Sequence, residues 1–166
     1  MSDGPEDKLA GGSSPASALD PAVEERLAAI SAGASVEPWA ADEVRKLVEP
    51  GEMPQQMLMC AGGLKSMVET GSLAASLQSM LGEDTVLVAT DRRVAWVNPS
   101  HRESGSGSIP LREVRKVGLP RVFFFGKGQL TLELNSGAQV PFGISRKWRS
   151  HAKALAKGVA ERRQAG

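Results

Sequence analysis

Histidine occurs twice in this 166-residue chain, cysteine once and tyrosine not at all, and that scarcity excludes several kinds of chemistry. A single thiol, Cys60, forms no internal disulfide, so packing has to hold the fold. It lies in the apolar run QMLMCAGG, where a free cysteine is packing material rather than a nucleophile. His101 falls in a Ser/Gly-rich loop and His151 in a basic helical stretch. Neither has a second histidine or a cysteine at metal-ligand spacing, so no metal and no cofactor is expected. Gly126-Lys127-Gly128 lacks the spacing and the strand-to-helix setting of a phosphate loop and is expected to be a hairpin turn. The neighbouring carboxylates Glu83 and Asp84 are expected only to solvate a loop. No catalytic constellation assembles from this set, and the chain reads as a non-enzyme.

Long apolar runs are missing too. None approaches the ~18 residues of a membrane-spanning helix. The opening MSDGPEDKLAGGSSPAS is acidic where a secretory signal carries positive charge and then an apolar stretch. A cytoplasmic location is expected, with any membrane contact peripheral and at the inner face.

Charge is plentiful but unevenly placed. The net charge of +1 conceals ten acidic and four basic side chains in residues 1–50, against fifteen basic and five acidic in residues 91–166. Such a division either draws an anionic partner to the second half or lets the first half fold back and cover it.

Three segments follow from composition and period. Residues 1–19, rich in Gly, Ser, Pro and Ala, cannot offset the entropy of ordering and are expected to form a disordered tail. Residues 20–50 read as a helical extension. Asp20 is placed to cap a helix with Pro21 at its first position, Val23, Leu27 and Ile30 on one side and Gly33 at its end. A second helix is expected from Pro38 to before Pro50, with Asp42 and Lys46 as an ion pair. Both are too short to stand alone and must dock.

Residues 51–163 carry the β signals. Gln56–Gly63 alternates, with Met57, Met59 and Ala61 on one face and Leu58 and Cys60 on the other. A helix is anticipated over 72–82. TVLVATDRRVAWVN, residues 85–98, reads as a central hairpin whose strands are apolar on both faces, so it belongs inside a sandwich or barrel. In its corner, Asp91 is expected to bond the backbone two residues on, with Arg92 and Arg93 projecting from the rim. One or two strands are expected in IPLREVRKVGL, then a hairpin of QLTLEL and Gln139–Ile144 about an Asn-Ser-Gly turn. A last helix, capped by Ser145, repeats apolar residues at Trp148, Ala152, Leu155 and Val159.

The Glu52-led first strand, the Thr90-Asp91-Arg92-Arg93 corner, the Ile109-Pro110-Leu111 and Val114 block and the Gly128–Phe142 hairpin, in this order, resemble the bacterial pleckstrin-homology-like (PH-like) domains. The resemblance covers about residues 50–163. It implies a mainly β, α+β fold: a bent antiparallel barrel or sandwich capped by a C-terminal amphipathic helix.

Binding is the function this pattern leaves open. Phe123, Phe124 and Phe125 cannot all face one core, because neighbours in a strand alternate sides. With Arg121 and Lys127 beside them they form a candidate surface for a protein partner, for a second copy of the chain, or for a membrane interface, unless the N-terminal helices cover them. Arg92, Arg93, Arg115, Lys116, Arg146, Lys147 and Arg149 make a candidate basic surface. Residues 64–84 offer Lys65 against Glu69, Glu83 and Asp84, which departs from the basic loop of lipid-binding pleckstrin-homology domains. Nucleic acid is disfavoured, since aromatic and basic residues do not interleave along a strand. The expectation is a cytoplasmic interaction or assembly module that binds a protein or itself, with a peripheral, anionic-headgroup-binding adaptor as the alternative.

Overall fold

A computed structural model describes residues 18–62, 83–119, 121, 123 and 126–165. Most of the anticipated tail, the helix anticipated over 72–82, Phe124 and Phe125 lie outside the described residues.

Strands β1 (Pro54–Gly62), β2 (Thr85–Thr90), β3 (Arg93–Val97), β4 (Gly107–Pro110), β5 (Val114–Gly118), β6 (Lys127–Leu134) and β7 (Gln139–Ser145) form one antiparallel ladder in the order β4-β3-β2-β1-β7-β6-β5. The ladder bends at β1, which pairs with β2 from Pro54 to Cys60 and with β7 at Ala61 and Gly62. This mainly β, α+β sandwich is closed by α3 (Arg149–Ala165) and preceded by α1 (Pro21–Ala34) and α2 (Pro38–Leu47). It is the architecture expected from the sequence.

Period 2 explains which side chains meet. Register puts Leu58, Leu87 and Trp96 on the inner face of the first sheet, and Leu130, Leu132 and Phe142 on that of the second. The Trp96 and Phe142 rings meet edge to face across the core at 5.2 Å. Gly107 is required beside them, because a Cβ there would lie 2.5 Å from the Trp96 ring. The other face of the first sheet, with Met57, Met59, Val86, Val88, Ala95 and Val97, is equally buried. There α1 packs on β1 and α2 on β2 and β3. The N-terminal helices therefore dock on this apolar face.

Local details differ from the simplest reading of the sequence. Asp20 does cap α1, accepting from the Ala22 N–H at 2.8 Å, but the helix runs through Gly33 and ends at Ser35 in the left-handed region (φ 52°). The Ser35 and Val36 N–H groups turn back to Ala32 and Ser31 carbonyls, and this reversal sets the end. In α2, Asp42 pairs with Arg45 (2.8 Å) and Lys46 with Glu43 (3.1 Å), instead of Asp42 with Lys46. Arg45 is held there because it also reaches Glu24 of α1 at 3.0 Å. Ser145 does not cap the last helix: a single 3₁₀ turn, Arg146–Trp148, comes first, and the Ser145 hydroxyl donates to Glu83. The expected apolar side of α3, Trp148, Ala152, Leu155 and Val159, is wholly buried.

The last turn of α3 ties the two sheets together. Arg162 donates to the Thr90 carbonyl in the first sheet (3.2 Å), and Arg163 to the Arg115 carbonyl (2.5 Å) in the second. Arg115 lies where the β5 register shifts, so its carbonyl is off the regular ladder. Two cations at a helix C-terminus also suit the helix dipole.

Candidate functional site

The corner between β2 and β3 is a structural joint. Thr90 Oγ1 accepts from both the Arg92 and Arg93 N–H groups (3.1 Å each), while Asp91 reaches outward to accept from the Met53 N–H at 2.8 Å. Asp91 thus holds the start of β1 instead of its own turn. Arg93 is turned inward, correcting the expectation that it projects from the rim. Its Nε and Nη2 donate to the two Glu52 carboxylate oxygens at 2.7 and 3.1 Å, and Nη2 donates to the Leu47 carbonyl at 2.6 Å. Glu52 is 1% exposed. Burial alone would raise its carboxyl pKa, but the Arg93 guanidinium, the Glu49 N–H and the Thr90 hydroxyl outweigh it and hold the group below its ordinary value. Gly51, at φ +81°, lets the loop from α2 turn under Arg92.

A second joint crosses from α2 to the loop before β4. Arg102 forks onto Glu43 at 2.9 and 2.7 Å, and this contact, more than any other, keeps the Glu43 carboxyl below its ordinary pKa. At each joint an acid of residues 1–50 meets a base of residues 91–166: Glu49 lies 3.4 Å from Arg93 beside Glu52, and Glu43 takes Arg102. In that measure the acidic N-terminal region does fold back onto the basic half.

The remaining anticipated cations fall in separate places. Arg92 is exposed at the β2–β3 corner, and Arg115 and Lys116 are exposed on β5, with Arg115 pairing with Glu133 at 3.3 Å. Phe123, Lys127, Arg146, Lys147 and Arg149 gather around the start of α3, while Arg121 is exposed between β5 and β6. The Lys127 backbone pairs with Ser145, the Arg146 N–H donates to the Gly126 carbonyl at 2.7 Å, and the Arg149 guanidinium lies 5.8 Å from the centre of the Phe123 ring. The corner and this cluster lie at opposite ends of a helix about 25 Å long. The candidate basic surface is therefore divided, and its densest part surrounds the α3 N-terminus. Phe123 is half-buried against the core under Arg149.

Beside this cluster opens a cleft of about 450 Å³. Its floor includes Met59, Ile144 and Trp148, one side carries Glu37 from the start of α2, and Glu83, Lys127 and Lys147 also line it. Glu83 is the residue that sequence reasoning missed. Its Oε1 accepts from the Ser145 hydroxyl (2.7 Å) and the Trp148 indole N–H (3.0 Å), and its Oε2 pairs with Lys147 at 3.0 Å. Burial would raise its pKa, yet Ser145, Lys147 and Trp148 together bring it below the ordinary value. It anchors the start of α3 to the strand that follows, rather than solvating a loop. A smaller cleft of about 250 Å³ is lined by Trp39, Glu43, Asp84, Pro99 and Ser100.

No protein-family model and no curated protein matches this sequence.

The arrangement offers contact and charge. Cys60 is fully buried and its thiol pKa is pushed well up, by burial first and then by Asp84 and Glu83. Among the described residues no group of three His, Cys, Asp or Glu side chains is placed to hold a metal ion, and no helix is long and apolar enough to cross a membrane.

Proposed function

We propose that this chain is a non-enzymatic PH-like interaction module, binding an acidic protein surface through the end of the sandwich where α3 begins. One observation carries the reading. Arg146, Lys147 and Arg149 stand exposed at the start of α3, with no acidic residue in its first turn. The N-terminus is the positive end of a helix dipole, so cations there work against helix stability. Lys147 is engaged by Glu83, but Arg146 and Arg149 have no carboxylate partner among the described residues, and their charge is left for an anionic partner. The buried, protonated Cys60 thiol supports a non-enzymatic role.

The test is binding of the purified chain to an oligo-glutamate peptide as ionic strength is varied. Affinity should fall with salt, and the Arg146→Glu/Arg149→Glu variant should bind about tenfold more weakly. Wild-type affinity in that variant would overturn the reading. An anionic membrane is the second reading, favoured by the partly exposed Phe123 ring lying under the exposed Arg149 guanidinium. Sedimentation with phosphatidylcholine vesicles, with and without phosphatidylserine, separates the two. Binding to the anionic vesicles without binding to the peptide would favour the membrane.

A further inference from the structure

We propose that the partner is a second copy of the chain, paired about a two-fold axis so that the basic rim of each molecule lies on the acidic rim of the other. This rests on the reading above that the α3 end is a contact surface.

That end carries both signs of charge. On one side Glu37 is exposed, and Asp84 is exposed beside Glu83 on the smaller cleft, next to the partly exposed Trp39 ring. On the other stand Lys147, Arg146 and Arg149. The two sides are only partly neutralised within the molecule. Glu83 takes Lys147, whereas Arg146 and Arg149 have no carboxylate partner among the described residues. Among the described residues the Glu37 carboxylate accepts from the Trp39 indole N–H (2.5 Å) and the Asp84 carboxylate from the Thr85 hydroxyl (3.0 Å), and neither takes a cation. Neither of these bonds neutralises its carboxylate.

A short acidic peptide can sit on the cations alone. A protein surface broad enough to cover this whole end and acidic throughout would meet Glu37 and Asp84 with its own charge, and like charges set against one another are costly. The surface fits a partner acidic on one side and basic on the other. A second copy meets that condition without further assumption. When two patches of opposite sign lie side by side, rotation by half a turn about an axis between them places each on its opposite, and the contact closes as a dimer. Trp39, partly exposed at the acidic side, supplies the kind of aromatic anchor that carries interface energy.

The experiment is sedimentation velocity on the full chain at low and high salt. A dimer is expected at low salt, dissociating as salt screens the rims. Glu37→Lys/Asp84→Lys makes both rims positive and should give a monomer. Arg146→Glu/Arg149→Glu should do the same with both rims negative. An equimolar mixture of the two variants should restore the dimer, which also shows that each is folded. A monomeric wild type at low salt, assembly beyond a dimer, or a mixture that stays monomeric would overturn the pairing. If the wild type is monomeric yet still binds oligo-glutamate, the pairing fails and the contact surface stands. If it does neither, both fall.

Discussion

The outer faces of the two sheets differ. In the first sheet β2 is buried at all six positions, because α1 and α2 cover the face turned away from the core. In the second, β6 alternates: Leu130 and Leu132 are buried, while Gln129 is exposed and Thr131 and Glu133 are partly so. TVLVAT, apolar on both faces, cannot be satisfied by a two-layer sandwich, whereas QLTLEL can. The N-terminal helices are therefore a third layer that the central hairpin requires, and the corner at Thr90–Arg93 is the clasp holding it down.

Removing residues 1–53 is the strongest way to break this comparison. It would expose six apolar side chains of the first sheet, each worth about 1.5–3 kcal/mol on full burial except the smaller Ala95. Their sum rivals the whole stability of a typical domain, about 5–15 kcal/mol. The truncated chain should be insoluble, or bind a hydrophobic dye and lack near-ultraviolet circular dichroism. A native-like spectrum would mean that the helices are dispensable. A sharper version places one charge on each outer face. Val88→Asp should cost about 4 kcal/mol by denaturant titration, because the carboxylate is buried under the helices without a partner. Thr131→Asp should cost less than about 0.5 kcal/mol.

The ion pairs extend the contrast. Glu52→Gln leaves the largely buried Arg93 with a neutral amide and only the exposed Glu49 carboxylate at 3.4 Å, and should cost about 3 kcal/mol. Glu133→Gln, which breaks the exposed pair with Arg115, should be nearly silent. Equal effects would show that the clasp is no stronger than a surface contact. The mildest expectation concerns pH. Glu43, Glu52 and Glu83 have folded-state pKa values below the ordinary 4.5, so between the two values the unfolded chain binds more protons and stability rises with pH. Their contribution is complete above about pH 4.5 and is lost as pH falls through the lowered values. Thermal melts from pH 6 downward should show this, and the Glu52→Gln variant should show a shallower decline.

Much of the framework was legible because it is local. The hairpins, the alternation of Met57 and Met59 against Leu58 and Cys60, and the apolar side of α3 each follow from a short period in the sequence. The joints were not legible. Glu52 lies 41 residues from Arg93, Glu43 59 from Arg102, and Glu83 62 from Ser145. A period tells a residue which face it occupies, but not which distant residue arrives opposite it. Hence Arg93 passed for a surface cation and Glu83 for a loop residue. The site was read in part: Phe123, Lys127, Arg146, Lys147 and Arg149 do come together, whereas Arg92, Arg115 and Lys116 lie elsewhere.

Alternation of apolar and polar side chains along a few residues was enough to specify strands, turns, the closing helix and the need for cover on the central hairpin. Only the folded chain decided which charges are consumed in holding the layers together and which are left at the surface. Ion pairs form between whatever residues the crossing strands bring within about 3 Å, and that proximity is a property of the whole path of the backbone.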